Sequence, residues 1–207
     1  MDFVRPLPAI IAGAQGRVLA VLVETTAELN LRTIARLSGV SVAQASRVLP
    51  KLVELGVVER RDAPPSALFR FVPENVAARA ITCLANVRRT VLAELGRAAA
   101  ELTPPPASVI VFGSFARGEA DSRSDLDLIM VRATGIAEDD GAWRAAVERL
   151  RDGARRLTGN RVAVLEVGER EAGRLLRSRK PLWLDVRRDG VVVFGPDLSA
   201  RKVAKGV

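Results

Sequence analysis

Four residues in one short window carry the chemistry open to this chain: Gly113 and Ser114, then Asp125 and Asp127. Val109 to Phe112 is a continuous apolar run of the kind that forms a buried strand, and it stops at Gly113-Ser114. A second strand is expected from Ser124 to Val131. Side chains alternate across a strand, so Asp125 and Asp127 share one face while Leu126 and Leu128 take the other. Two carboxylates about 6–7 Å apart along a strand edge, beside a Gly-Ser turn, suit a divalent-cation site with a phosphate cradle. Gly113 removes a side chain so that phosphates can approach the backbone, and Ser114 offers a hydroxyl and an N–H to a phosphate oxygen. Two cations about 3.5–4 Å apart on such carboxylates bridge phosphates and lower the pKa of an attacking hydroxyl, so no imidazole base is needed.

That economy matters, because the 207 residues include no histidine, no tyrosine and one cysteine. Ser-His-Asp and Cys-His nucleophile systems and His-containing zinc sites are excluded. Cys83 alone forms no internal disulfide, fits a reducing compartment and is expected to be a small buried hydrophobe. A composition 48% apolar and 27% charged is globular, and the formal net charge of +8 suits a polyanionic partner. The charge is evenly shared, with 13 basic against 9 acidic residues up to position 103 and 19 against 15 beyond it. The apolar stretch from Pro6 to Ala14 is too short to span a membrane and lacks a cleavage pattern, so the expected setting is cytoplasmic, with no membrane partner.

The elements that must position the chemistry follow from punctuation and periodicity. Three successive prolines, Pro104 to Pro106, break any helix or central strand. Three segments are expected: 1–74, a connecting helical region 75–103, and 104–207. In the first, Val18, Leu19, Val21 and Leu22 recur at helical spacing, and Leu31 to Leu37 gives a second helix ending near Gly39. Ser41 caps a third, whose Ala45, Val48, Leu49 and Leu52 form an apolar seam. Val57 to Asp62 and Leu68 to Val72 read as a two-stranded ribbon around Pro64-Pro65. Pro50 is expected to kink or locally open the third helix, because it cannot donate to the Ser46 carbonyl.

A helix, a Gly-containing turn, a second helix and a charged ribbon resemble a bacterial winged helix-turn-helix from Leu31 to Val72. The resemblance implies DNA binding through Val42, Gln44, Ser46, Arg47 and Lys51 on the exposed helix face, with Gln44 and Arg47 able to meet base edges. Arg60, Arg61 and Arg70 on the ribbon would meet phosphates. The same fold also serves as a docking or dimerisation module.

The string GSFARGEADSRSDLDL, residues 113 to 128, resembles the minimal nucleotidyltransferase branch of the DNA polymerase β superfamily, with Arg117-Gly118-Glu119-Ala120 and Ser124 also matching. That resemblance implies an α+β architecture with a small mixed sheet flanked by helices. It adds Arg117 and Ser124 to Gly113 and Ser114 around the nucleotide, although a structural salt bridge is the preferred reading of Arg117. The family supplies a third carboxylate from a later strand. In Arg161 to Val167 the acid is Glu166, which would join Asp125 and Asp127 in catalysis and in holding Mg2+ or Mn2+; a Glu166 turned to solvent would leave two ligands. A helix from Glu138 to Leu157, helical segments from Glu169 to Val186 that restart at Pro181, and a last strand at Val191 to Phe194 complete the expected domain, with Trp143, Trp183 and Phe194 in its core.

Two functions follow. One is transfer of a nucleoside monophosphate from an NTP to a hydroxyl of a protein, an RNA or a small molecule. The other is a DNA-binding regulator whose nucleotidyltransferase-like domain senses nucleotide or is catalytically degenerate. The resemblance extends to the antitoxin half of toxin–antitoxin pairs, which implies a toxin-like protein partner, and a winged helix on a palindrome implies a homodimer.

Overall fold

The computed structural model describes residues 1–197. Residues 198–207, the end of the expected third segment, lie outside the described residues. The described chain divides into two compact units, one made of Asp2 and Val4–Val87, the other of Met1, Phe3 and the described residues from Arg88 onward.

The first unit opens with α1 (Pro6–Ile10) and α2 (Gly13–Val23). A two-residue strand, β1 (Leu29–Asn30), leads into α3 (Leu31–Ser38) and α4 (Val42–Glu54). The hairpin β2 (Val58–Ala63) and β3 (Ser66–Phe71) follows, then α5 (Val76–Ala85). Gly39 ends α3 at φ 63°, a left-handed conformation that glycine adopts without a Cβ penalty, and its N–H closes on the Ala35 and Arg36 carbonyls. Val18, Leu22, Ile34, Ala45, Leu49 and Leu52 are fully buried, so the helices share one core with Phe69 and Phe71 of the hairpin. The helical seam of α4 supplies that core as its spacing requires.

Several features depart from, or add to, the expected layout. The segment at α1 is a helix, begun by a proline at its first turn. Leu29 and Asn30 pair antiparallel with Phe69 and Leu68, which makes the ribbon three-stranded. And α4 runs through Pro50 as one helical segment. Pro50 is exposed, so the missing N–H costs one hydrogen bond while the buried seam on the opposite side keeps the helix together. Cys83, expected inside, is an exposed thiol on α5. The helix turns its Ala78, Ile81, Leu84 and Ala85 to the core instead.

The second unit begins in α6 (Val87–Ala100), separated from α5 by Asn86, so the helical region 75–103 is shared between the units. Then come β4 (Ser108–Phe112), α7 (Gly113–Arg117), β5 (Leu126–Arg132), α8 (Gly141–Thr158), β6 (Val162–Gly168), α9 (Glu169–Leu175), α10 (Pro181–Asp189) and β7 (Val191–Phe194). The sheet order is β6-β5-β4-β7, with β5 and β6 parallel and the other pairs antiparallel. It is the small mixed sheet flanked by helices that the sequence implies. One face carries Ile110, Ile129, Val131 and Val167 against Ala172, Leu176, Trp183 and Val186 of α9 and α10. Gly96 of α6 lies so close to the Val193 carbonyl of β7 that any Cβ there would collide with it. No helix among the described residues is long and apolar enough to cross a membrane.

Candidate functional site

The apolar run of β4 ends where Phe112 pairs with Asp127 of β5. The chain turns at Gly113, whose φ is 71°, and a Cβ built there would strike the Asp127 carboxylate oxygen Oδ2. Glycine is thus required twice, by the backbone conformation and by the side chain it must admit. Ser114 follows, half-buried in α7, with no hydrogen bond from its hydroxyl among the described residues.

Asp127 is half-buried and Asp125 lies two residues before it, just outside β5. Burial pushes the Asp127 carboxyl above the usual carboxylate range, the negative charge of Asp125 pushes it further the same way, and Arg117 partly opposes both. No hydrogen-bond donor among the described residues satisfies Asp127. Among the described residues Asp125 is paired with Arg161 alone, at 3.9 Å. Two carboxylates that repel each other beside a cleared backbone fit a divalent cation, since oxygen donors are the ligands such ions take and a cation relieves the repulsion.

The structure does not bring Glu166 to this edge. Across the parallel ladder Asp127 faces Ala163, whereas Glu166 faces Met130. Glu166 therefore lies three register steps away, about 10 Å along the strand, and on the opposite face of the sheet. There its Oε2 accepts a 2.7 Å hydrogen bond from Nε1 of Trp143, the fully buried indole of α8. The expected role of Glu166 as metal ligand and catalytic residue is corrected accordingly: its acid balances an indole N–H that would otherwise be buried without a partner. The position beside Asp127 belongs to Ala163, which is exposed. Among the described residues no three acidic, cysteine or histidine side chains gather into a metal-holding group.

Arg117 and Ser124, the other two expected nucleotide contacts, are engaged elsewhere. Arg117 Nε donates to Glu119 at 2.7 Å, and its guanidinium lies 3.9 Å from Asp189. The Ser124 hydroxyl donates to Asp121 at 2.9 Å within a tight loop. Hydrogen bonds from the Arg123 N–H, the Ser124 hydroxyl and the Ser124 N–H hold Asp121 below the usual carboxylate range. Asn160, buried, donates to the carbonyls of Asp121 and Ser124 at 3.0 and 2.9 Å and accepts from the Met1 amino group at 2.7 Å. The sequence pattern flagged Ser124, but the residue that ties the loop is Asn160, which no local motif marks.

In the first unit Val42, Gln44, Ser46, Arg47 and Lys51 all lie exposed on α4. Gln44 is partly spent: Ser41 accepts from the Gln44 N–H, and Gln44 Oε1 accepts from the Ser41 N–H at 2.9 Å, a reciprocal cap. Its amide oxygen is thus unavailable for a bidentate adenine contact unless the cap opens. The ribbon arginines are also occupied. Arg60 bonds Asp62 at 2.8 Å, Arg61 bonds Glu28, and Arg70 bonds Glu59 at 2.6 Å. Arg47 and Lys51 have no acidic partner among the described residues.

Residues 92–166 match the model of the nucleotidyltransferase domain, and residues 16–62 match that of the IclR helix-turn-helix domain. A solved structure of a minimal nucleotidyltransferase is 30% identical over 52% of this chain and 90% of its own, with a TM-score of 0.31. No curated protein matches.

Proposed function

We propose that this chain, which joins an IclR-type helix-turn-helix domain to a nucleotidyltransferase domain, is a DNA-binding regulator. Its second domain binds a nucleoside triphosphate with a divalent cation on Gly113, Ser114, Asp125 and Asp127, and transfers nucleotide poorly or not at all. The observation that carries this is the register pairing of Asp127 with Ala163, which leaves no acid on β6 directly beside Asp127.

Transfer of a nucleoside monophosphate needs an acceptor hydroxyl to lose its proton, attack the α-phosphorus and expel pyrophosphate. A cation on Asp125 and Asp127 neutralises phosphate charge when bound. Gly113 lets the phosphates reach the backbone, and the Ser114 hydroxyl donates to a phosphate oxygen. Asp127, already destabilised as an anion by burial and by Asp125, gains most from a neighbouring positive charge. The set has no third acid on β6 beside Asp127: the register partner there is Ala163, and Glu166 is held by Trp143 on the other face. The missing third acid supports binding over turnover.

Specific DNA contact is assigned to Arg47 and Lys51, the cations on the exposed face of α4 that no acid neutralises. An NTP held on the second domain is the signal the DNA-binding domain would report.

Equilibrium titration of Mg2+ with an α-labelled NTP tests the proposal. The full chain should bind nucleotide only with the metal, lose that binding in Asp127→Asn, and transfer no label to protein, RNA or small molecules of a host lysate. Label transfer that Asp127→Asn abolishes would replace binding with catalysis. For the DNA half, the chain's own promoter should bind more tightly than random DNA across a salt series; equal affinity for both would reduce the contact to nonspecific electrostatics.

A further inference from the structure

A second charged feature borders the carboxylate edge and takes no part in the function above. Arg151 and Arg155 stand one turn apart on α8, so their side chains share a face. Arg161 enters β6 beside them, and with Asp152 and Val162 they line a cavity of about 380 Å³. The hydrogen-bonded loop described above braces this arrangement. Asn160 ties the chain immediately before Arg161 to Asp121 and Ser124, and the Arg161 carbonyl accepts from the Leu126 N–H at 2.8 Å. Arg161 is 87% exposed and 3.9 Å from Asp125, so the groove opens onto the Asp125 side of the site.

Its charges are incompletely answered. Arg151 pairs with Glu148 on its own helix, and Asp152 is the one acid in the lining. Arg155 has no acidic partner among the described residues. Guanidinium forks match phosphate oxygens in pairs. The lining contains no aromatic side chain and one aliphatic residue, Val162, so neither base stacking nor an acyl chain explains it. The volume is at the small end of ligand sites, which run from about 300 to 1,000 Å³.

We propose that this groove is a metal-independent phosphate subsite for a second ligand, a phosphate-bearing molecule bound beside the Asp125–Asp127 edge. The proposal rests on the nucleotide-binding function only for the identity of the neighbouring edge. The binding itself does not depend on it, because the arginines need no cation to hold a phosphate.

Equilibrium dialysis of the full chain in EDTA separates the two, since without metal the paired aspartates repel phosphate. The probes are inorganic pyrophosphate and a 5′-phosphorylated uridine trinucleotide, the latter too short to fill a helix-turn-helix half-site. At least one probe should bind. Arg155→Glu with Arg161→Glu should lower its affinity tenfold or more, Arg155→Gln with Arg161→Gln severalfold, and Asp152→Asn should raise it severalfold. Arg155, Arg161 and Asp152 are all exposed, and thermal melting checks that the fold persists. Tighter binding of the trinucleotide identifies a nucleic-acid end as the phosphate source, and tighter pyrophosphate a free phosphate ligand. No binding of either probe in EDTA, or equal binding by wild type and both double variants, overturns the proposal. Loss of Mg2+-dependent NTP binding with EDTA binding intact would overturn the nucleotide-binding function and leave this subsite standing.

Discussion

The ribbon of the helix-turn-helix unit and the Gly-Ser edge of the nucleotidyltransferase unit handle charge in opposite ways. On the ribbon each arginine is held by an acid, Arg60 by Asp62, Arg61 by Glu28 and Arg70 by Glu59. At the edge, Asp127 faces another carboxylate and has no donor, and its proton is held more tightly than an ordinary aspartate's. Exposed pairs like those on the ribbon add little to stability because water screens them, so they report little about function. A repulsive pair held half-buried is a cost to the fold, and such costs gather where a ligand removes them. The contrast also recurs within one stretch of chain. Asp121, six residues before Asp127, is stabilised as an anion by three local hydrogen bonds and closes a turn.

The largest effect expected from this contrast is on nucleotide binding. Asp127→Asn should weaken Mg2+–NTP binding about a hundredfold or more, in line with the loss of a charged group aimed at a bound cation; a titration with a fluorescent NTP checks it, and a loss under threefold would erase the distinction. Next is DNA. Arg47→Ala should cost about 1–3 kcal/mol of specific binding if it reads a base edge, whereas Arg61→Ala should cost under about 1 kcal/mol because the contact competes with Glu28. Equal losses in a mobility-shift series would show the ribbon pairs to be poised for DNA. Third, Gly113→Ala should destabilise the second unit by about 1–3 kcal/mol, the positive φ and the displaced carboxylate acting together; chemical denaturation reads it.

The smallest effect runs in the opposite direction. Asp127 releases its proton at higher pH in the fold than in the unfolded chain, so ionising it costs stability. That cost is fully present above the folded value and disappears as pH falls below the unfolded one. Asp127→Asn should therefore raise the melting temperature at neutral pH by about 1–3 °C and lose that advantage in acid. A lowered melting temperature at neutral pH would mean that Asp127 stabilises the fold.

Much of this was legible in the residues. Gly39, Ser41 and the seam of α4 specify the turn and the helix after it, because caps and periodicity are local. The GS to DxD window placed the carboxylate pair for the same reason, one strand's alternation being readable from its own sequence. Glu166 was not legible. Whether an acid on β6 meets Asp127 depends on parallel register, which no residue within either strand encodes alone, and one step of register changes the face. The acid stood out in an apolar run, but its reason for being there was the indole of Trp143, a partner 23 positions away. Gln44 misled similarly: a good base reader in isolation is the third residue of a capping box once Ser41 begins the helix. Pro50 is a milder case: the local rule expects a kink or opening, and the helix continues through the proline as one segment with its seam buried on the other side.

The central claim is that the metal edge consists of Asp125 and Asp127 without Glu166, and Mn2+ binding followed by electron paramagnetic resonance addresses it most directly. Glu166→Gln should bind Mn2+ as wild type does, Asp127→Asn should lose binding, and Ala163→Asp, which puts a carboxylate opposite Asp127, should bind about tenfold more tightly. Loss of Mn2+ binding in Glu166→Gln comparable to that in Asp127→Asn, with Ala163→Asp unchanged, would contradict the account.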